Sequence, residues 1–193
     1  MARPREFDES NALEQAMQVF WSQGFEATSM TDLTEAMGLS KSSLYDTFGS
    51  KHELFLATID HYKDNVTAQV RSAAELDAPA RHVIASMFGR AVDRMTDGSG
   101  QRGCFLNNCS VEVGPHDPQA AERCRAGLAV MEESFHRLVI RSQGEGGIDA
   151  AKDARALARY LTGAINGIMV IGKANPDRDV LDDIAAVAMT ALD

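Results

Sequence analysis

The chain has 193 residues, 45% of them hydrophobic, with 19 basic and 28 acidic side chains and a formal net charge of −9. That length allows one large domain or two unequal ones, and the apolar share is ample for a core. No run approaches the roughly 20 apolar residues of a membrane span, and the N-terminal MARPREFDES lacks the apolar region of a signal peptide, so a cytoplasmic protein is expected.

The first helix is predicted from about Asp8 to Gln23, where Leu13, Ala16, Met17 and Phe20 recur at helical spacing and Trp21 packs beside them. Met30, Leu33, Thr34 and Met37 form the stripe of a second, short helix. Gly38 ends it, because the residue after a helix commonly needs positive φ. Ser40 suits the N-cap of a third helix, Lys41 to Phe48, in which Leu44 and Phe48 share a buried face. Lys41, Ser42, Ser43, Tyr45, Asp46 and Thr47 then face outward. A short helix with hydrogen-bonding side chains on its outer face is what a DNA major groove accepts. Ser29-x-x-Asp32 and Ser50-x-x-Glu53 read as capping boxes.

The fourth helix is expected from Lys51 to about Leu76, with Phe55, Ile59, Tyr62, Val66 and Val70 in its stripe. At about 1.5 Å per residue it is long enough to bridge two domains. Pro79 opens a fifth helix, Ala80 to Thr96, and Asp97-Gly98-Ser99-Gly100 reads as a loop. Further helices are expected over Gly103–Val113, Pro118–Ser142, Ala150–Ala174 and Arg178–Leu192. With no alternating strand pattern and no internal repeat, the fold class is all-α with about nine helices.

Charge speaks against nucleic acid. Residues 1–52 carry four basic groups (Arg3, Arg5, Lys41, Lys51) against eight acidic ones, a balance of −4, without the usual basic footprint of a DNA binder. Binding would rest on local placement of those four cations and on backbone N–H groups at helix starts. On charge, a helical adaptor without DNA binding is the rival reading.

The motifs decide between them. Gly24-Phe25, Ala27-Thr28-Ser29-Met30, Gly38-Leu39-Ser40-Lys41, Leu44-Tyr45, Phe48-Gly49-Ser50-Lys51 and Leu54-Phe55 lie in one register, and over these residues the chain resembles the TetR/AcrR family of bacterial transcription regulators. The resemblance implies an N-terminal helix-turn-helix DNA-binding domain, residues 1–52, and a C-terminal ligand-binding and dimerisation domain, residues 53–193. It implies a homodimer, a pseudo-palindromic double-stranded operator as partner, and a repressor released by an effector. Thr28 and Ser29 stand where the family contacts phosphate, Lys41, Ser42 and Ser43 where base edges are reached, and Tyr45 and Lys51 at its phosphate-binding tyrosine and lysine. Thr47 adds a phosphate hydrogen bond, while Asp46 departs from the family pattern.

In the C-terminal part, Gly163, Ala164, Gly167 and Gly172 permit close helix approach, flanked by Leu161, Ile165, Ile168 and Met169. With Ile184, Val187 and Ala188 of the ninth helix they read as a dimer interface; packing within one subunit is the alternative. Arg102-Gly103-Cys104 resembles the N-ethylmaleimide-responsive branch of the family, in which a cysteine here pairs with a late lysine, matched by Lys173. A thiol at a helix N-terminus near an ammonium is activated toward oxidants or electrophiles; a buried packing cysteine is the plainer reading. The alternative effector site is an apolar pocket for a small molecule, with Phe88, Phe105, Met131, Phe135, Tyr160 and Met169 as candidate lining and Asn108, His136 or Asn166 as polar contacts. Cys104, Cys109 and Cys124 form an odd set without metal-ligand spacing. With scattered histidines and no phosphate-binding loop or nucleophile elbow, neither enzyme, metal nor cofactor is expected.

Overall fold

A computed structural model describes residues 8–98 and 102–193. These form nine α-helices and no strand: α1 (Glu9–Gln23), α2 (Met30–Met37), α3 (Lys41–Phe48), α4 (Lys51–Ala74), α5 (Ala80–Thr96), α6 (Phe105–Glu112), α7 (Pro118–Gly144), α8 (Ala154–Ala174) and α9 (Arg178–Thr190). Arg3 and Arg5, expected near DNA, and Ser99 and Gly100 of the predicted loop lie outside the described residues.

Helix starts are fixed by side-chain oxygens that take up orphan backbone donors of the first turn. Asp8, Ser29, Ser40, Ser50, Asp117, Asp153 and Asp177 all do this. These caps correct several predicted ends. Helix α8 begins at Ala154 rather than Ala150, because Asp153 accepts from the Arg155 and Ala156 N–H groups. Helix α6 begins at Phe105 rather than Gly103, because Gly103 is left-handed at φ +69° and Cys104 is extended. Helix α4 stops at Ala74 rather than Leu76, α7 runs on to Gly144, and α9 ends at Thr190. The box at Ser29 closes in both directions. At Ser50 one half forms: its hydroxyl accepts from Glu53 N–H at 3.1 Å, while its own N–H turns to the Phe48 carbonyl at 2.9 Å.

Two clusters of buried side chains fill the interior. The second joins Val83, Ile84 and Phe88 of α5 to Phe135 and Leu138 of α7, Leu161 and Ile168 of α8, and Leu181 and Ala188 of α9. The first contains Ala16, Met17 and Phe20 of α1, Leu33 and Leu44 of α2 and α3, and Leu54, Phe55 and Ile59 of α4. It also takes in Phe105, Leu106 and Cys109 of α6 and Ala120 and Cys124 of α7. Val66, midway along α4, packs against both.

The join between α6 and the first four helices is aromatic. The Phe105 ring lies 5.9 Å from Trp21, 5.7 Å from Tyr62 and 6.3 Å from Phe55, centroid to centroid, in tilted and edge-on arrangements. Such pairs add roughly 0.5–1.5 kcal/mol each beyond area burial. Polar ties flank them. The Trp21 indole donates to the Arg102 carbonyl at 3.1 Å, and Glu26 N–H donates to the Glu112 carboxylate at 3.2 Å. Gly24 permits that last approach, since a Cβ there would lie 2.7 Å from the Glu112 oxygen. His52 of α4 stands 2.6 Å from Asp117, the cap of α7. Partial burial works against the Asp117 charge, but the Ala120 and Gln119 N–H groups and the His52 ring outweigh it and hold that carboxyl below its usual range.

Candidate nucleic-acid interface and effector cavities

The α2–α3 turn is built on Gly38, left-handed at φ 64°, with Leu39 N–H bonded to the Thr34 carbonyl at 3.1 Å. Leu44 and Phe48 anchor α3 in the first core. Their burial turns Lys41, Ser42, Tyr45, Asp46 and Thr47 into solvent, with Ser43 half-buried. Tyr45 is 48% exposed, unusual for a large aromatic without a partner surface. At the start of α3, the Ser40 hydroxyl lies 2.9 Å from both the Ser42 and Ser43 hydroxyls. Thr47 donates to the Ser43 carbonyl at 2.8 Å, which leaves its lone pairs as acceptors only. Lys51 lies over the Phe25 ring at 4.6 Å with its ammonium 3.5 Å from the Glu26 carbonyl. It is thereby held beside the chain that enters α2.

Two residues expected at phosphate differ in their placement. Ser29 is exposed at the start of α2, in the capping box with Asp32, whose carboxyl its hydrogen bonds hold below the usual range. Thr28 is only 2% exposed, and its hydroxyl donates to the Gly24 carbonyl at 2.5 Å. Its side chain therefore braces the turn before α2 and has no hydroxyl proton to offer a phosphate.

A cleft of about 450 Å³ opens between the end of α1, α6 and the end of α8, and it brings together Cys104, Phe105, Asn108, Met169 and Lys173. Lys173 donates to the Asn108 side-chain oxygen at 3.4 Å. Tyr62 donates to the Cys104 sulfur at 3.6 Å. Burial first, then the Cys104 neighbour, push the Tyr62 phenol above its usual range, so it remains a donor. Cys109 and Cys124 face each other in the core. A hydrogen bond to Cys124, reinforced by burial, raises the Cys109 thiol, and that same bond lowers Cys124 to about 7 against its own burial. All three thiols are free. Among the described residues no group of three His, Cys, Asp or Glu side chains could hold a metal ion.

A second cavity, of about 310 Å³, lies between α4, α5, α7 and α8 and is lined by Met131, Asn166, Met169 and Cys104 among others. Other expected lining residues sit elsewhere. Phe88 and Phe135 pack on each other in a tilted arrangement, ring centroids 6.1 Å apart, fully buried in the second core. Tyr160 is 45% exposed on the outside of α8. His136 is engaged with the Arg155 guanidinium at 3.0 Å. Missing from the sequence expectation were Tyr62, Gln69, Arg90 and Arg94, which do line this cavity. The i, i+4 spacing of the two arginines beside the apolar stripe of α5 was their available signal.

The outward faces of α8 and α9 present Tyr160, Gly163, Val170, Ile171, Val180 and Val187 to solvent, Val187 at 61%. A Cβ at Gly163 or Gly167 would meet nothing within 4 Å in the subunit. Ile168 is instead fully buried in its own subunit. Ala164 and Ile184 are half-buried against that same core. Gly172 makes a close approach within the subunit, where a Cβ would come 2.8 Å from Met95. These four belong to the inner stripe, one step around the helix from the exposed one.

Comparison with known proteins agrees with this architecture. Residues 12–58 match the family of bacterial regulatory proteins, tetR family, and residues 80–188 match the tetracyclin repressor-like C-terminal domain. The HTH-type transcriptional regulator YezE of Bacillus subtilis (strain 168) is 32% identical over the full length of both chains. The HTH-type transcriptional repressor ComR of Escherichia coli (strain K12) is 31% identical, covering 97% of this chain and 90% of its own. A cysteine mutant of the TetR family regulator CifR, solved with a 26-bp double-stranded operator DNA, has 30% identity and a TM-score of 0.87, covering 99% of this chain and 100% of its own. The chain belongs to the TetR family of bacterial transcription regulators.

Proposed function

We propose that the protein is a homodimeric transcriptional repressor that binds a pseudo-palindromic operator through α3 and leaves it when an effector occupies the helices beyond residue 52. The observation that carries this reading is the α3 face: a helix anchored by Leu44 and Phe48 that presents Lys41, Ser42 and a half-exposed Tyr45 to solvent. ComR, a repressor, and CifR, solved on operator DNA, support the assignment. The working division is a DNA-binding part, residues 1–52, and a ligand-binding and dimerisation part, residues 53–193. The protein works in the cytoplasm, where its DNA is; among the described residues no helix is long and apolar enough to cross a membrane.

In this reading Ser29, Tyr45 and Lys51 contact phosphate, and Lys41, Ser42 and Ser43 reach toward base edges; Thr47, whose hydroxyl proton goes to the Ser43 carbonyl, does not donate to phosphate. Phosphate contacts position the protein while base contacts select sequence. In gel shifts with DNA flanking its own gene, Tyr45→Ala and Lys51→Ala should weaken binding by similar factors on all operator variants. Lys51→Ala should also lower the salt slope by roughly one unit. Thr28→Val, which removes a hydroxyl committed to the Gly24 carbonyl, should act through stability. Unchanged operator affinity in both the Tyr45 and Lys51 variants would reject this face.

The two copies meet through the outer stripe of α8 and α9, where Gly163 and Gly167 let the partner helix approach and Val170, Ile171 and Val187 supply apolar area. A two-fold axis there suits recognition helices about 34–36 Å apart on successive major-groove faces. Gly163→Leu and Val187→Asp should shift the protein toward monomer in sedimentation while leaving its helical content unchanged. A wild type that is monomeric at micromolar concentration contradicts this interface.

Signalling by a thiol is a second reading, favoured by a cleft that Cys104 and Lys173 both line, with the Tyr62 hydroxyl donating to the Cys104 sulfur. N-ethylmaleimide would then add across its C=C bond: the Cys104 sulfur bonds to one alkene carbon, the π bond breaks, and the thiol proton ends, by way of solvent, on the other carbon. N-ethylmaleimide should release operator DNA from the wild type and not from Cys104→Ser, with Cys109→Ser and Cys124→Ser close to wild type. Equal release from wild type and Cys104→Ser leaves reversible ligand binding as the mechanism.

A further inference from the structure

We infer that Asp46 is a specificity-determining residue: its carboxylate stands at the centre of the outward face of α3 and selects a cytosine, through the N4 amine, at one position of each operator half-site. This rests on the operator reading above and names a base that the operator must contain.

The position follows from helix geometry. Residues of an α-helix advance by about 100° each. Asp46 lies two residues from each anchor of α3, Leu44 and Phe48, so it points to the side opposite both. The exposures agree, for Leu44 and Phe48 are buried and Asp46 is exposed. Ser42, one turn earlier, shares that outermost line, while Tyr45 lies on one flank and Ser43 and Thr47 on the other. A helix in the major groove has phosphates along its flanks and base edges under its outermost line. Asp46 is therefore set toward bases, whereas Tyr45 is set toward a strand.

The chemistry of the side chain narrows the base. An ionised carboxylate only accepts hydrogen bonds. Among the described residues, no hydrogen bond or ion pair engages that of Asp46. In the major groove guanine presents N7 and O6 and thymine presents O4, all acceptors that repel a carboxylate. Only adenine and cytosine present amines there, and adenine sets its N7 acceptor beside the amine. Cytosine has no acceptor of its own on that edge, so it is the base that Asp46 tolerates best.

The charge acts largely by exclusion. A carboxylate among phosphates is unfavourable on every sequence, and a base donor is what offsets it. Residues 1–52 already carry a balance of −4, so the sequence-independent attraction that holds most DNA-binding domains is weak here. An acid at the centre of the reading face weakens it further, and discrimination between bases is what it contributes.

The test selects duplexes from a random library with full-length wild type, Asp46→Asn, Asp46→Ala and Glu35→Gln, each checked by thermal melting, and sequences the bound DNA. Wild type is expected to prefer cytosine roughly tenfold at one position, repeated symmetrically in two half-sites. Asp46→Ala should accept all four bases there and bind random DNA more tightly. Asp46→Asn should lose the cytosine, its amide being suited to adenine. Glu35→Gln, which removes an exposed charge from α2, should tighten binding evenly and keep the cytosine. Replacing that cytosine by 2-pyrimidinone, which lacks the amine, should weaken wild-type binding roughly tenfold and leave Asp46→Ala unaffected. An unchanged profile in both Asp46 variants, a base other than cytosine at the position they alter, the same change in Glu35→Gln, or an equal effect of 2-pyrimidinone on wild type and Asp46→Ala overturns the inference and leaves the repressor reading standing. A wild type that selects no sequence contradicts both.

Discussion

The position of the Phe105 ring is the constraint on which the rest of the structure depends. It comes from α6, yet it is buried among Trp21 of α1 and Phe55 and Tyr62 of α4. Its burial means that α1 and α4 cannot complete their core without α6, and α6 cannot fold its apolar face without them. An aromatic side chain of this kind contributes about 3–5 kcal/mol when deleted from a core, a large share of the 5–15 kcal/mol that holds a typical domain. The helices that present α3 are thus mechanically fastened to α6, which lines the first cleft and whose N-cap, Cys104, lines both.

That fastening gives an effector something to act on. A ligand shifts an equilibrium only by its differential affinity for the two arrangements. The junction itself borders the second cavity: Cys104 and Tyr62 sit at its wall, and the Trp21 indole is held from one side by the Arg102 carbonyl and from another by the Arg94 guanidinium. The long α4 carries any tilt of this junction to Lys51 at its N-terminal end, beside the face proposed for DNA, with Val66 in contact with both cores midway. The salt-tolerant part of the linkage is aromatic packing; the His52–Asp117 contact at the rim is polar and, in part, solvent-facing.

Local chemistry was legible in the sequence and long-range chemistry was not. Gly38, Ser40 and the Leu44–Phe48 spacing gave the bounds of α3, because turn and cap preferences are decided by neighbours in the chain. Helix α8 was drawn too long because Ala150 is a good helix former, whereas the cap at Asp153 decides the start. Thr28 was expected at phosphate from its motif position, but the sequence does not reveal that its hydroxyl is used by the Gly24 carbonyl. Ile168 and Gly172 fell on the right helix and the wrong stripe, since the inner and outer faces of α8 are both apolar. Phe88 and Phe135 have the composition of a binding pocket and serve as core. The arginines of the cavity wall were passed over because charged residues on a helix ordinarily belong to its solvated face, and only packing shows which way they look.

The most direct test of the account is native-state hydrogen exchange on the dimer, comparing the wild type with Phe105→Leu, a change that keeps apolar volume and removes the ring. If the junction fastens the two parts, protection should fall in α6 and, together with it, in α1 and in the Leu54–Ile59 stretch of α4, while the α8–α9 face stays protected. Loss of protection confined to α6, with α1 and α4 exchanging as in the wild type, would contradict it.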